Sequence, residues 1–265
     1  MGIENLNKSN WCCFDDGEGH LYIGHAQSGM SIINLKNKTV RKLSHTNNNP
    51  QSLPGNSIYS IYKDHLQNIW IGTNRGLGLF NPKTEEFTVF RHESDNPHSL
   101  IADHSKHGVT SGNIRTLLQD SFGNIWIGNY SSGVDFISHS QPGFHILPYM
   151  TEKGNITKHK PVWGICKDEN NQIWLGGENE ITLFKDNKFL KSIDITKQLS
   201  RPYGQVFSII STQQGALLLG IYDDGLLKFN TRNIQLQQRY SPQRRRNQPV
   251  IARPISIWHS PRQAR

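Results

Sequence analysis

Glu178, Asp223 and Asp224 are the residue types that acid–base work on a glycosidic bond requires, one carboxyl to protonate the leaving oxygen and another to attack or activate water. The same carboxylates, with Arg75, Asn74 and Asn129, are suited to hydrogen-bonding the hydroxyls or carboxylate of a ligand. Tyr130 and Tyr222 could stack on sugar rings. His92, His98, His104 and His107 supply imidazoles to a conceivable metal site. His92 has a counterpart in His45, however, because HTNNNPQSL and HESDNPHSL are two copies of one connector. That reading makes His92 structural, and no metal is assigned. There is no G-x-S-x-G elbow, H-E-x-x-H pair or phosphate-binding loop. No catalytic residue and no cofactor is therefore expected, and binding is favoured over catalysis.

These side chains sit in the variable parts of a repeat. The word Leu/Ile–aromatic–Ile/Leu–Gly ends at Gly24, Gly72, Gly128 and Gly176, with a degraded copy, LLLG, ending at Gly220. The intervals are 48, 56, 48 and 44 residues. Eight residues before each glycine stand Asp16, Asp64, Asp120 and Asp168, and Thr212 in the weak copy. Apolar pairs precede them: Ile58 and Ile61, Ile114 and Leu117, Val162 and Ile165, Val206 and Ile209. A polar loop and a second apolar run follow, as in RGLGLF and SGVDFI, and often a third, as in FTVFRH.

Each unit reads as four short strands, with the Asp-x-x-Gly-Asn type of turn closing the first hairpin. No helical periodicity of any length is present. Four strands recurring at this interval describe one blade of a β-propeller. The expectation is an all-β propeller, partial or five-bladed, of four-stranded antiparallel blades at about 9–48, 49–100, 109–150, 160–200 and 204–240. Five blades could close on themselves or remain an open arc that exposes two apolar faces and drives self-association. Trp70, Trp126 and Trp174 hold one repeat position, taken by Tyr22 in the first unit, and read as packing between blades. Gly72, Gly128 and Gly176 read as points of close backbone approach, and Asp64, Asp120 and Asp168 as hairpin caps. The loops between strands two and three gather on one face. They carry HAQS, TNR, NYSS, GEN and IYDD, and hence the candidate binding residues.

The net charge of +8 raises the question of nucleic acid, but six arginines fall within residues 241–265, which leaves +2 for the rest. Residues 1–240 use sixteen lysines and seven arginines, whereas the last 25 hold no lysine, acid or glycine. That shift reads as a disordered or out-of-frame Arg-rich tail, within which PISIWHS could form one strand. No nucleic-acid partner is expected. No run is long enough to span a membrane as a helix, and MGIENLNKSNW lacks the basic start and apolar core of a secretory signal. Cys12, Cys13 and Cys166 fit no zinc spacing and read as small buried hydrophobes.

The pattern I-x-x-I-x-x-D-x-x-G-N-I-W-I-G, followed by G-L/V and a closing F, with N-P-x-S-L connectors, resembles the two-component regulator propeller repeat over roughly residues 9–238. The resemblance implies the periplasmic sensor region of a hybrid two-component histidine kinase of Bacteroidetes. It implies an oligosaccharide ligand, and a homodimer or the remaining blades of the sensor as partner. With five repeats and no kinase segment, the chain reads as an interior piece of such a sensor or the product of a disrupted gene. The alternatives are a protein–protein scaffold and a propeller lyase or glycosidase.

Overall fold

In a computed structural model of the chain, the described residues are 9–91, 112–130, 132–140, 144–147, 149–150, 156–157, 160–212, 214–233, 235–240 and 256–257. The first sheet is β1 (Asn10–Asp15), β2 (His20–His25), β3 (Met30–Asn34) and β4 (Thr39–Leu43). The second is β5 (Ile58–Lys63), β6 (Ile69–Thr73), β7 (Gly76–Asn81) and β8 (Glu86–Phe90). The third is β9 (Ile114–Gln119), β10 (Ile125–Asn129), β11 (Val134–Ile137) and β12 (Phe144–Leu147). A short pair, β13 (Tyr149–Met150) and β14 (Ile156–Thr157), precedes the fourth sheet, β15 (Gly164–Lys167), β16 (Ile173–Gly176), β17 (Glu180–Lys185) and β18 (Lys188–Asp194). The fifth is β19 (Val206–Thr212), β20 (Ala216–Ile221), β21 (Gly225–Asn230) and β22 (Leu236–Tyr240). Each is an antiparallel meander in chain order, so the expected all-β, four-stranded repeat is what forms.

The repeat aspartate explains the first hairpin. Asp120 Oδ1 accepts the backbone N–H groups of Phe122 and Asn124, each at 2.9 Å, which pins the β9–β10 turn. Its Oδ2 accepts the indole N–H of Trp126 at 2.9 Å. Asp64 with Trp70, and Asp168 with Trp174, repeat that bond at 2.9 and 2.8 Å. The first unit has Tyr22 in place of the repeat tryptophan, and Asp16 Oδ2 instead contacts His20 Nδ1 at 3.0 Å. In the fifth unit Thr212 and Leu218 replace both partners together.

Sheets meet face to face in chain order. One apolar cluster joins the first and second through Tyr22, Met30, Ile58, Ile71 and Phe80. Trp70, Leu77, Ile114 and Ile127 join the second and third. Trp126, Val162, Leu175 and Phe184 join the third and fourth, and Trp174, Val206, Leu219 and Phe229 the fourth and fifth. The anchor glycines sit at these seams. A Cβ on Gly72 would lie 2.9 Å from Ile114 Cγ2, and one on Gly128 2.9 Å from Val162 Cγ1, both atoms of the following sheet. Gly24 and Gly176 receive Ile58 and Val206 in the same way. A side chain at the glycine would thus push neighbouring sheets apart.

One expectation needs correction. Cys12 and Cys166 are buried, but Cys13 is exposed, because it alternates with Cys12 across the pleat of β1. Within the tail, β23 (Ser256–Ile257) forms in PISIWHS and pairs parallel with β1 at Cys12 and Cys13. The other residues of 241–265 lie outside the described residues.

Candidate functional site

The first strand of four sheets carries one residue too many for its partner. Asn10 pairs with His25 and Cys12 with Gly24, so Trp11 is a bulge. Tyr59 between Ile58 and Ser60, Arg115 between Ile114 and Thr116, and Phe207 between Val206 and Ser208 are bulged identically. A bulge frees the extra residue from the ladder and re-aims its side chain. In the fourth sheet the equivalent residue is Trp163, directly ahead of β15. All five lie five positions before the repeat Asp or Thr: 11 and 16, 59 and 64, 115 and 120, 163 and 168, 207 and 212.

The fold brings this column together as one row. Trp11 stacks on Tyr59 with centroids 4.9 Å apart. The Arg115 guanidinium carbon lies 3.9 Å from the Tyr59 centroid, 4.7 Å from that of Tyr130 and 5.0 Å from that of Trp163. Tyr130 meets Trp163 edge-on at 5.0 Å, Trp163 lies 4.7 Å from Phe207, and Phe207 meets Tyr222 at 5.3 Å. Six aromatic rings and one cation therefore form an unbroken band across all five sheets. Tyr130 and Tyr222, from the loops after β10 and β20, are exposed members of the band, at 42% and 53% exposure. Trp163 is buried, and its indole N–H has no hydrogen-bond partner among the described residues. Burial pulls the Arg115 pKa down from its ordinary value, while the phenols of Tyr59 and Tyr130 act in the opposite direction.

The eight candidate binding residues are thus sorted by the fold. Tyr130 and Tyr222 join the band. Glu178 is exposed and accepts the Tyr203 hydroxyl at 2.6 Å, and Gln205 Nε2 donates to that hydroxyl at 2.9 Å. Burial and this bond to Glu178 push the Tyr203 pKa up. Asn129 is fully buried, with Nδ2 donating to Asp135 Oδ2 at 3.1 Å. Asp224 is buried, accepts the Ser200 N–H at 2.8 Å and lies 3.6 Å from Arg239. Asp223, at φ 56°, pairs with Arg201. Asn74 Oδ1 accepts the Ser57 N–H at 3.2 Å and so ties down a connector, beside the exposed Arg75. The three carboxylates considered for catalysis are each held by a different partner. His92, His98, His104 and His107 lie outside the described residues, among which no cluster of histidine, cysteine and carboxylate could hold a metal.

Trp11, Tyr59, Arg115, Trp163 and Phe207 were not among the sequence candidates. The signal was a fixed offset from the repeat aspartate with an aromatic in four of five copies. It is easily passed over because the aromatic changes type and the third member is arginine.

This architecture defines a β-propeller module. The chain carries repeats of the two component regulator propeller family, matched over residues 52–75, 108–131 and 158–179. Those stretches hold the three complete Asp–Trp pairs. Two solved structures of an extracellular domain of B. thetaiotaomicron, described as a putative hybrid and a putative one component system, are similar at 15% identity. Their TM-scores are 0.50 and 0.51 over 88% and 90% of this chain. PorZ, a surface component of the type-IX secretion system of Porphyromonas gingivalis, is similar at 12% identity with a TM-score of 0.58 over 88% of this chain. At these identities the likeness concerns the fold. The chain spans 36%, 38% and 33% of those structures, about a third of each. Comparison with curated proteins gives no match. No helix among the described residues is long and apolar enough to cross a membrane.

Proposed function

We propose that this chain is part of the ligand-sensing propeller of a hybrid two-component signalling system and that it binds an oligosaccharide without chemically altering it. The band from Trp11 to Tyr222 carries this reading. Flat aromatic faces suit the apolar faces of pyranose rings, and a band across several sheets suits a ligand of more than one ring. Its members come from positions that the repeat does not need for hairpin closure or sheet packing. The family supports a sensor, and by family the site would be periplasmic. The lyase or glycosidase reading is less well supported, since Glu178, Asp223 and Asp224 are each engaged by their own partner.

The outer face of the fifth sheet supports a partner. Leu218 holds the position that is tryptophan in the three complete copies, and Ile210 beside it is 51% exposed. The corresponding faces of the first four sheets are each covered by the next sheet. A further blade of the sensor or a second copy would cover this one.

Calorimetry against an oligosaccharide library tests the binding reading. Saturable binding without product is expected, with Trp163→Ala and Tyr130→Ala each weakening it about tenfold. Tyr240→Ala, away from the band, should leave it unchanged. Product formation without saturable binding would transfer the chain to the enzyme class.

A further inference from the structure

Arg115 is the one member of the band whose side chain is charged. It is half-buried, and Nε has no hydrogen-bond partner among the described residues. None of the ion pairs found among those residues involves it. Among the described residues, the guanidinium lies over the rings of Tyr59, Tyr130 and Trp163. Ring faces attract a cation, but they do not take up its N–H groups as an oxygen acceptor would. A desolvated guanidinium without a counter-anion is costly. The bulge between Ile114 and Thr116 nevertheless turns it into the band, at a column where the other four repeats place an aromatic. An aromatic would complete the band without a desolvated charge.

We infer that Arg115 is an anion receptor and that the ligand of this site carries a carboxylate, as a uronate-bearing oligosaccharide does. The planar guanidinium matches a carboxylate through two parallel N–H···O bonds. The flanking rings hold its plane, and Tyr130 and Tyr222 are exposed to meet the rest of the ligand. A carboxylate there satisfies the open donors of Arg115 and neutralises its charge in one step. This inference rests on the oligosaccharide reading above and narrows it to one class.

The test is an array of matched pairs, each a uronate-bearing oligosaccharide and its counterpart reduced to the neutral alcohol at C6, followed by calorimetry on the hits. The wild-type protein should bind the acidic member of a pair at least about tenfold more tightly. Added salt should weaken the acidic member and leave the neutral one unaffected. Arg115→Gln should lose the preference, its affinity for the acidic member of a pair falling to that for the neutral one. Arg115→Lys, which keeps the charge but not the fork, should retain part of it. Equal affinity within pairs, or an unchanged preference in Arg115→Gln, would overturn the anion role alone. Binding of neither member by the wild type would overturn the oligosaccharide reading itself. Arg115→Gln is scored only after its thermal unfolding matches the wild type, and the salt dependence of the wild type tests the inference without any variant.

Discussion

The carboxylate of Asp120 holds the indole N–H of Trp126 at 2.9 Å while its other oxygen closes the turn between them. One side chain thus fixes both the hairpin within a sheet and the tryptophan that packs on the next, where Trp126 meets Phe184 edge-on at 5.8 Å. The same bond joins Asp64 to Trp70 and Asp168 to Trp174. Where Trp is lost at position 218, Asp is lost at position 212.

Asp120→Ala should therefore destabilise the protein by about 2–3 kcal/mol, because a buried indole donor and two turn N–H groups lose a charged acceptor. Thr212→Ala removes one 3.2 Å bond to the Ala216 N–H and should cost less than about 1 kcal/mol. Urea unfolding followed by tryptophan fluorescence measures both. Equal costs would mean that the turn, not the indole, carries the effect.

Gly128→Ala should cost about 1–3 kcal/mol through overpacking, since its Cβ would meet Thr116 Cγ2 at 2.4 Å and Val162 Cγ1 at 2.9 Å. At the corresponding Gly220→Ala the nearest atoms all belong to Ser208 within the fifth sheet, first its hydroxyl, which can rotate away. Its melting temperature should fall by less. An equal fall at both sites would show that the glycine serves its own strand and not the seam.

Stability should decline in mild acid through His25. This side chain is buried, with Nδ1 2.7 Å from Asn10 Oδ1 and Nε2 2.7 Å from Ser31 Oγ. Burial, and then the charge of Lys42, lowers its pKa. Unfolded histidine titrates near about 6.5, so this contribution is intact above that pH and is lost as pH falls through the lower folded value. The stability gap between wild type and His25→Gln should narrow below about pH 6.5. A gap independent of pH would remove His25 from the acid response.

The thiols should differ in reactivity. Burial, reinforced by the neighbouring Cys13, pushes the Cys12 pKa up to about 12, and burial raises that of Cys166. Cys13 is exposed. Titration of the folded protein with a thiol reagent at pH 8 (roughly, near an ordinary thiol pKa) should label Cys13 first. The other two should react only on unfolding. Rapid native labelling of Cys166 would show that the seam between the fourth and fifth sheets opens readily.

The sequence alone determined the strands, their order and the sheet-to-sheet seams, because each rests on short-range rules. Asp-x-x-Gly-Asn closes a hairpin locally, NIWIG alternates across one pleat, and a word repeated at nearly even spacing must occupy the same place in every sheet. It also marked Tyr130 and Tyr222 as residues free of the repeat. The indole bond to Asp120 was half legible: the spacing showed, but its partner atom did not. Tertiary structure alone assembled the band of the candidate site. Asn129 and Asp224 belong to the same variable loops as Tyr130 and Asp223, yet they turn inward, because strand register and a nearby buried acceptor or donor fix which way a side chain faces. Trp11, Tyr59, Arg115, Trp163 and Phe207 are far apart in the chain and become one surface only when five first strands lie side by side. The bulges that release their side chains depend on pairing with a second strand, which no single strand can specify.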